Sequence, residues 1–132
     1  MMVGIDVVDV ERLRTLLTDR PEMHERLFTE AELTFCSGKA DPVRHLAGTL
    51  AAKEAVIKAH RLGTLAGWSR RIVIERTSDG APHARLADHP GTTPQISISH
   101  DGGVAVAVAI AARTNAGYGD HDELGPWLDR AS

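Results

Sequence analysis

The stretch Leu50-Ala51-Ala52-Lys53-Glu54-Ala55-Val56-Ile57-Lys58-Ala59 decides how this chain folds. It lies in a longer segment that opens on Asp41-Pro42, a good N-cap residue before a proline at the first helical position. The segment runs to Gly63, where a left-handed residue would end a helix. These signals predict one long central helix over about 42–62. Within it Leu46, Leu50, Glu54 and Lys58 form an i, i+4 row flanked by Val43, Ala47, Ala51 and Ala55, so two charges continue an apolar stripe. On a solvated face such a Glu–Lys pair contributes only about 0.2–0.5 kcal/mol. At the edge of a core-facing stripe the same groups lose hydration, and a metal or phosphate partner would compensate them. Sequence alone leaves both readings open.

Outward toward the N-terminus, residues 3–10 are β-branched and apolar and predict a strand, followed by a charged helical stretch over 11–19 that Pro21 interrupts. Asp6 sits in that strand among Ile5, Val7 and Val8, where aspartate is depleted. It is either a strand-edge residue or a hard oxygen ligand. Magnesium takes one or two carboxylates with waters and phosphate oxygens, and Asp6 and Glu54 are candidates for that pair. Thr29-Glu30-Ala31-Glu32 has the capping-box form and predicts a short helix over 30–36.

Outward toward the C-terminus, 72–74, Ser78-Asp79-Gly80 and the run to Leu86 predict a hairpin, because Asp-Gly supplies the positive φ of a tight turn. Residues 95–99 alternate apolar and polar, Asp101-Gly102-Gly103 turns the chain, and 104–112 predicts a largely buried strand. Ser97, Ser99, His100 and Asp101 do not make a hydrolase triad, since neighbours in a strand point to opposite faces. His100, at the strand's end, is either a turn histidine or a residue placed to donate to a phosphate. The division expected is one domain over 1–112 and a loosely ordered or docked extension over 113–132, anchored by Pro126-Trp127-Leu128.

At 132 residues, with 42% hydrophobic and 25% charged side chains, the chain suits a single ordinary globular domain. A net charge of -3 argues against a protein held to nucleic acid by its overall field. The lone Cys36 supplies no disulfide framework, and the opening residues lack the basic region of a signal peptide, so a cytoplasmic protein is expected. The longest apolar run, about nine residues at 104–112, falls well short of the roughly 20 that span a membrane.

Gly4-Ile5-Asp6-Val7-Val8-Asp9-Val10-Glu11-Arg12, Phe28-Thr29-Glu30-Ala31-Glu32-Leu33, the 50–59 stretch and Ile96-Ser97-Ile98-Ser99-His100, in this order, resemble the holo-acyl-carrier-protein synthase family of 4′-phosphopantetheinyl transferases. The resemblance spans about 3–111. It implies an α+β fold in which an antiparallel sheet packs on the long helix, commonly assembled as a homotrimer with sites between subunits. It also implies transfer of phosphopantetheine from coenzyme A to a serine of an acyl or peptidyl carrier protein, with Mg2+ as cofactor. By the same resemblance Asp6 and Glu54 hold the metal, and Asp6, Glu54 and Lys58 are catalytic. Lys53, Lys58, Gly80, Pro82, Ser99 and His100 are implied to bind the cofactor, and Arg12, Arg14 and Arg20 are the docking charges expected toward an acidic carrier. The family usually carries a basic residue where this chain has Gly48-Thr49, and another where it has Ala81. A noncatalytic relative that binds coenzyme A or a carrier domain is the alternative reading, and a purely structural assembly subunit is a third.

Overall fold

The computed structural model describes residues 2–111. In chain order the elements are β1 (Met2–Asp9), α1 (Val10–Asp19), α2 (Met23–Leu27), α3 (Glu30–Ser37), α4 (Pro42–His60), α5 (Leu65–Trp68), β2 (Ile72–Arg76), β3 (Pro82–Leu86), β4 (Gln95–Asp101) and β5 (Val104–Ala111). The fold is α+β, as the resemblance implies. One antiparallel sheet has the order β1-β5-β4, and β2 and β3 form a separate antiparallel hairpin.

Small residues let α4 lie directly on the three-stranded sheet. Ala105, Ala107 and Ala109 of β5 are fully buried, as are Ala51, Ala55 and Ala59 of α4. At Gly4 a side chain would fall on the carbonyl oxygen of Ala55 and 2.8 Å from the amide nitrogen of Ala59. At Gly48 it would meet His100 Nε2 at 2.7 Å and Ile98 Cγ2 at 2.9 Å. Glycine thus permits both close approaches. Because Gly48 touches β4 while Ala55 and Ala59 touch β1, α4 crosses the sheet obliquely from one edge strand to the other. Two apolar clusters meet along it: one joins its C-terminal half to Ile72, Ile74 and Leu86, the other its N-terminal half to Leu13, Leu17 and Phe28.

Element boundaries depart from the sequence expectation where side chains are claimed elsewhere. The central helix ends at His60, and Arg61 takes the left-handed position (φ 53°) that the pattern assigns to Gly63. The cause is Leu62, which packs on the core while its amide reaches back to the Ile57 carbonyl at 3.1 Å. Asp41 occupies the N-cap position of α4 without capping it, since its carboxylate binds Arg14 Nη2 at 3.0 Å. Asp9, not anticipated as a cap, accepts from the Arg12 amide at 2.9 Å and starts α1. The single-turn helices α2 and α5 carry too few residues to show a period. The capping box at Thr29 and Glu32 forms as its spacing requires. The extension expected over 113–132 lies outside the described residues.

Candidate functional site

Asp6 points inward from β1 at the sheet edge that the C-terminal half of α4 reaches. One turn of α4 separates Glu54 from Lys58, so both face this strand. Lys58 Nζ donates to Asp6 Oδ1 at 2.9 Å and to the Ile5 carbonyl at 2.9 Å. The Asp6 side chain is 12% exposed and its Oδ2 is buried without a hydrogen-bond partner. Burial, and then the Asp6 carboxylate beside it, push the Glu54 carboxyl up to about 7, with the Lys58 ammonium opposing. A proton on Glu54 is what can join the two carboxylates. The three residues singled out from sequence therefore meet at one point.

This donor set suits a hard divalent cation. An orphaned carboxylate oxygen next to a carboxyl that keeps its proton near neutrality is a pair short of positive charge. Magnesium accepts such a pair and leaves its other positions to water and phosphate. Among the described residues no cluster of three or more His, Cys, Asp or Glu gathers, so Asp6 and Glu54 stand as a pair.

The remaining candidates scatter. Lys53 is fully buried: its ammonium lies 2.6 Å from Glu32 Oε1, donates to the Leu27 carbonyl at 3.0 Å, and donates to the Ser69 carbonyl. With its donors taken and no exposed surface, Lys53 is not brought to the point where Asp6, Glu54 and Lys58 meet. Glu32 in turn accepts from the Thr29 amide at 2.8 Å and from the Ile74 amide at 2.7 Å. Burial drives the Lys53 pKa down, and Glu32 counteracts this. The knot ties α2, α3, α4, β2 and the end of α5 together one residue before Glu54. Sequence reasoning missed it because the capping box already accounted for Glu32.

His100 faces inward from β4, the opposite edge strand from β1. It lies two strands and two residues from Asp6 in register, about 12 Å away. Its Nε2 is 3.0 Å from the Arg44 carbonyl. A carbonyl only accepts, so Nε2 carries the hydrogen and is already committed. Ser99 sits on the other face of the sheet, exposed and opposite Val106. Gly80 (φ 87°) and Pro82 lie at the tip of the β2–β3 hairpin, where the Gly80 carbonyl is within 3.5 Å of Arg76. Thr49, where a basic residue is usual in the resembled family, is 3% exposed, and its hydroxyl donates to the His45 carbonyl. Of the three docking arginines, Arg14 is bound to Asp41 and Glu11 and Arg20 to Glu22.

Residues 2–109 match the profile of the 4′-phosphopantetheinyl transferase superfamily. The chain belongs to this superfamily. Within it, a holo-[acyl-carrier-protein] synthase of Geobacter metallireducens is 38% identical over 120 residues, covering 83% of this chain and 95% of its own. The crystal structure of the Helicobacter pylori holo-[acyl-carrier-protein] synthase in complex with coenzyme A superposes with a TM-score of 0.71 at 29% identity, covering 84% of this chain and 100% of that one. A Bacillus anthracis holo-(acyl-carrier-protein) synthase in complex with CoA (3′,5′-ADP) gives 0.69 at 26% identity, covering 83% and 94%. This member of the superfamily thus spans nearly the whole length of these three relatives. No helix among its described residues is long and apolar enough to cross a membrane.

Proposed function

We propose that the protein transfers 4′-phosphopantetheine from coenzyme A to a serine hydroxyl of an acyl or peptidyl carrier protein, with magnesium held by Asp6 and Glu54. The meeting of Asp6, Glu54 and Lys58 at one sheet edge, in a superfamily whose relatives are named for this activity, carries the reading. The serine oxygen forms a bond to the phosphorus next to pantetheine, and the bond from that phosphorus to the 3′,5′-ADP leaving group breaks. The serine proton passes to a carboxylate of the pair, directly or through water. A bound magnesium ion supplies Lewis-acid polarisation of the phosphate and neutralises its charge. Lys58 holds Asp6 in place and presents an ammonium to charge that grows on the leaving pyrophosphate oxygens.

The active assembly we propose is a homotrimer. Val3, Ile5 and Val7 are each more than half exposed on the outer face of the sheet. They pair in register with Ile110, Val108 and Val106, so one apolar surface faces away from α4. Asp6 and His100 emerge at opposite edges of this sheet, which suits a site completed by a second copy.

Mass spectrometry of an apo carrier protein incubated with coenzyme A and magnesium tests the reaction: one phosphopantetheine increment on the carrier serine is expected. Coenzyme A binding without that increment would instead support the noncatalytic alternative, which the absence of a cation at Thr49 favours. Light scattering across a dilution series with parallel assays tests the assembly. A monomer active at every concentration overturns it.

A further inference from the structure

The buried pair of Lys53 and Glu32 takes no part in the chemistry derived above, yet every polar group in it is satisfied. The three N–H donors of the Lys53 ammonium go to Glu32 Oε1 at 2.6 Å, to the Leu27 carbonyl at 3.0 Å and to the Ser69 carbonyl. Glu32 accepts from two backbone amides besides, Thr29 at 2.8 Å and Ile74 at 2.7 Å. The segments that supply the two carbonyls are tied to each other: the Ser69 hydroxyl donates to the Arg26 carbonyl at 2.7 Å, and Arg70 Nη1 donates to the Glu25 carbonyl at 2.8 Å. Lys53 thus docks on a frame built by α2, α3, the end of α5 and β2.

A buried ion pair is a poor source of net stability, since apolar residues of similar volume often do as well or better, and its best attested use is to fix a register. Here a register needs fixing. The helix α4 meets the sheet through Ala51, Ala55 and Ala59 against Ala105, Ala107 and Ala109, and it passes over Gly4 and Gly48. Side chains this short raise shallow ridges, so they hold the helix close without resisting a small slide or rotation as longer side chains would. The hydrogen bonds of Lys53 do resist. A slide of one residue rise, about 1.5 Å, carries the ammonium out of reach of its acceptors. Glu54 follows Lys53 directly and Lys58 lies one turn beyond Glu54, so an axial error at Lys53 passes to both.

We propose that Lys53 is a positioning residue: through its buried pair with Glu32 it sets the axial and rotational place of α4, and with it the approach of Glu54 and Lys58 to Asp6. Resting on the function proposed above, the pair determines turnover rather than substrate binding. Misplacing groups by about 1 Å at a reacting centre can cost about a hundredfold in rate.

The full chain carrying Lys53→Met/Glu32→Gln tests this, because the double substitution removes the pair and leaves no buried charge behind. Its kcat for carrier modification should fall about tenfold or more while KM for coenzyme A stays within about twofold, although its urea midpoint lies near that of the wild type. Leu86→Ala, a truncation in the core at the base of β3, is the counterpart: its urea midpoint should drop while kcat of the folded protein stays within about twofold. Turnover that follows the urea midpoint across the three proteins would make the pair merely structural and overturns the proposal. Crystal structures of the wild type and the double variant give a readout free of activity. The 2.9 Å contact between Lys58 Nζ and Asp6 Oδ1 should open beyond about 3.5 Å in the variant. An undisturbed contact, or wild-type kcat in the double variant, overturns the proposal. A wild type that neither binds coenzyme A nor modifies the carrier removes the function proposed above, and the two crystal structures then still decide whether Lys53 places α4.

Discussion

Lys58 and Asp6 face each other across the junction of α4 and β1 at 2.9 Å, and the same ammonium also holds the Ile5 carbonyl. One side chain therefore fixes both the carboxylate and the strand that carries it. Removing it should impair chemistry more than binding. Lys58→Ala is expected to lower kcat by about a hundredfold while coenzyme A affinity changes less than about threefold, as read by steady-state kinetics beside calorimetry. Equal losses in both would reduce Lys58 to a ground-state contact.

Asp6→Asn and Glu54→Gln keep shape and volume but remove the charges proposed to hold magnesium. Each should lower kcat/KM at least about a hundredfold, roughly 3 kcal/mol, with an unaltered circular dichroism spectrum. Full turnover by either variant ends the metal assignment.

Glu54 also sets a pH dependence. Its carboxyl ordinarily titrates at 4.5 and stands at about 7 in the fold, so between these values the native state keeps a proton that the unfolded chain has released. Stability from this group is fully present below about 4.5 and is lost as pH rises through about 7. Urea midpoints of metal-free protein should decline across pH 5 to 8, and Glu54→Gln should flatten that decline. A slope surviving in the variant would assign it to other groups.

At Gly4 the obstacle to a side chain is helix backbone, which cannot step aside. Gly4→Ala should cost about 3 kcal/mol or more, visible as a large drop in Tm. A thermal midpoint within a degree of wild type would mean that β1 and α4 separate easily.

Lys53→Met leaves Glu32 buried and charged, at an expected cost of about 3–5 kcal/mol. Removing both charges, in Lys53→Met/Glu32→Gln, should recover most of the loss in chemical denaturation. No recovery would show that the hydrogen bonds to Leu27 and Ile74 outweigh the charge balance.

Much of this site was legible because its residues break a pattern. Asp6 interrupts a β-branched run, and Glu54 and Lys58 interrupt an apolar helical row, so each signals itself within one element. Lys53 belongs to the same helix and misleads for the opposite reason. Lysine is expected at a surface, and nothing local reveals that Glu32, 21 positions earlier, waits for it in the core. The helix closes at Arg61 because Leu62 packs on the core and its amide returns to Ile57, while Gly63 takes a positive φ (115°) two residues further on.

The pairing of β1 with β5 places Met2 opposite Ala111, two residues far apart in the sequence. On the ribosome, Asp6 is made 101 positions (107 − 6) before Ala107, the residue it faces across the sheet. Until then Val3, Ile5 and Val7 belong to an unpaired apolar edge, open to chaperones or to misassembly with another nascent chain. A polypeptide interrupted before Val104 keeps Asp6, Glu54 and Lys58 in its sequence but lacks the neighbour that holds β1 under the helix. The approach of Asp6 to Lys58 would thus wait until β5 has been made.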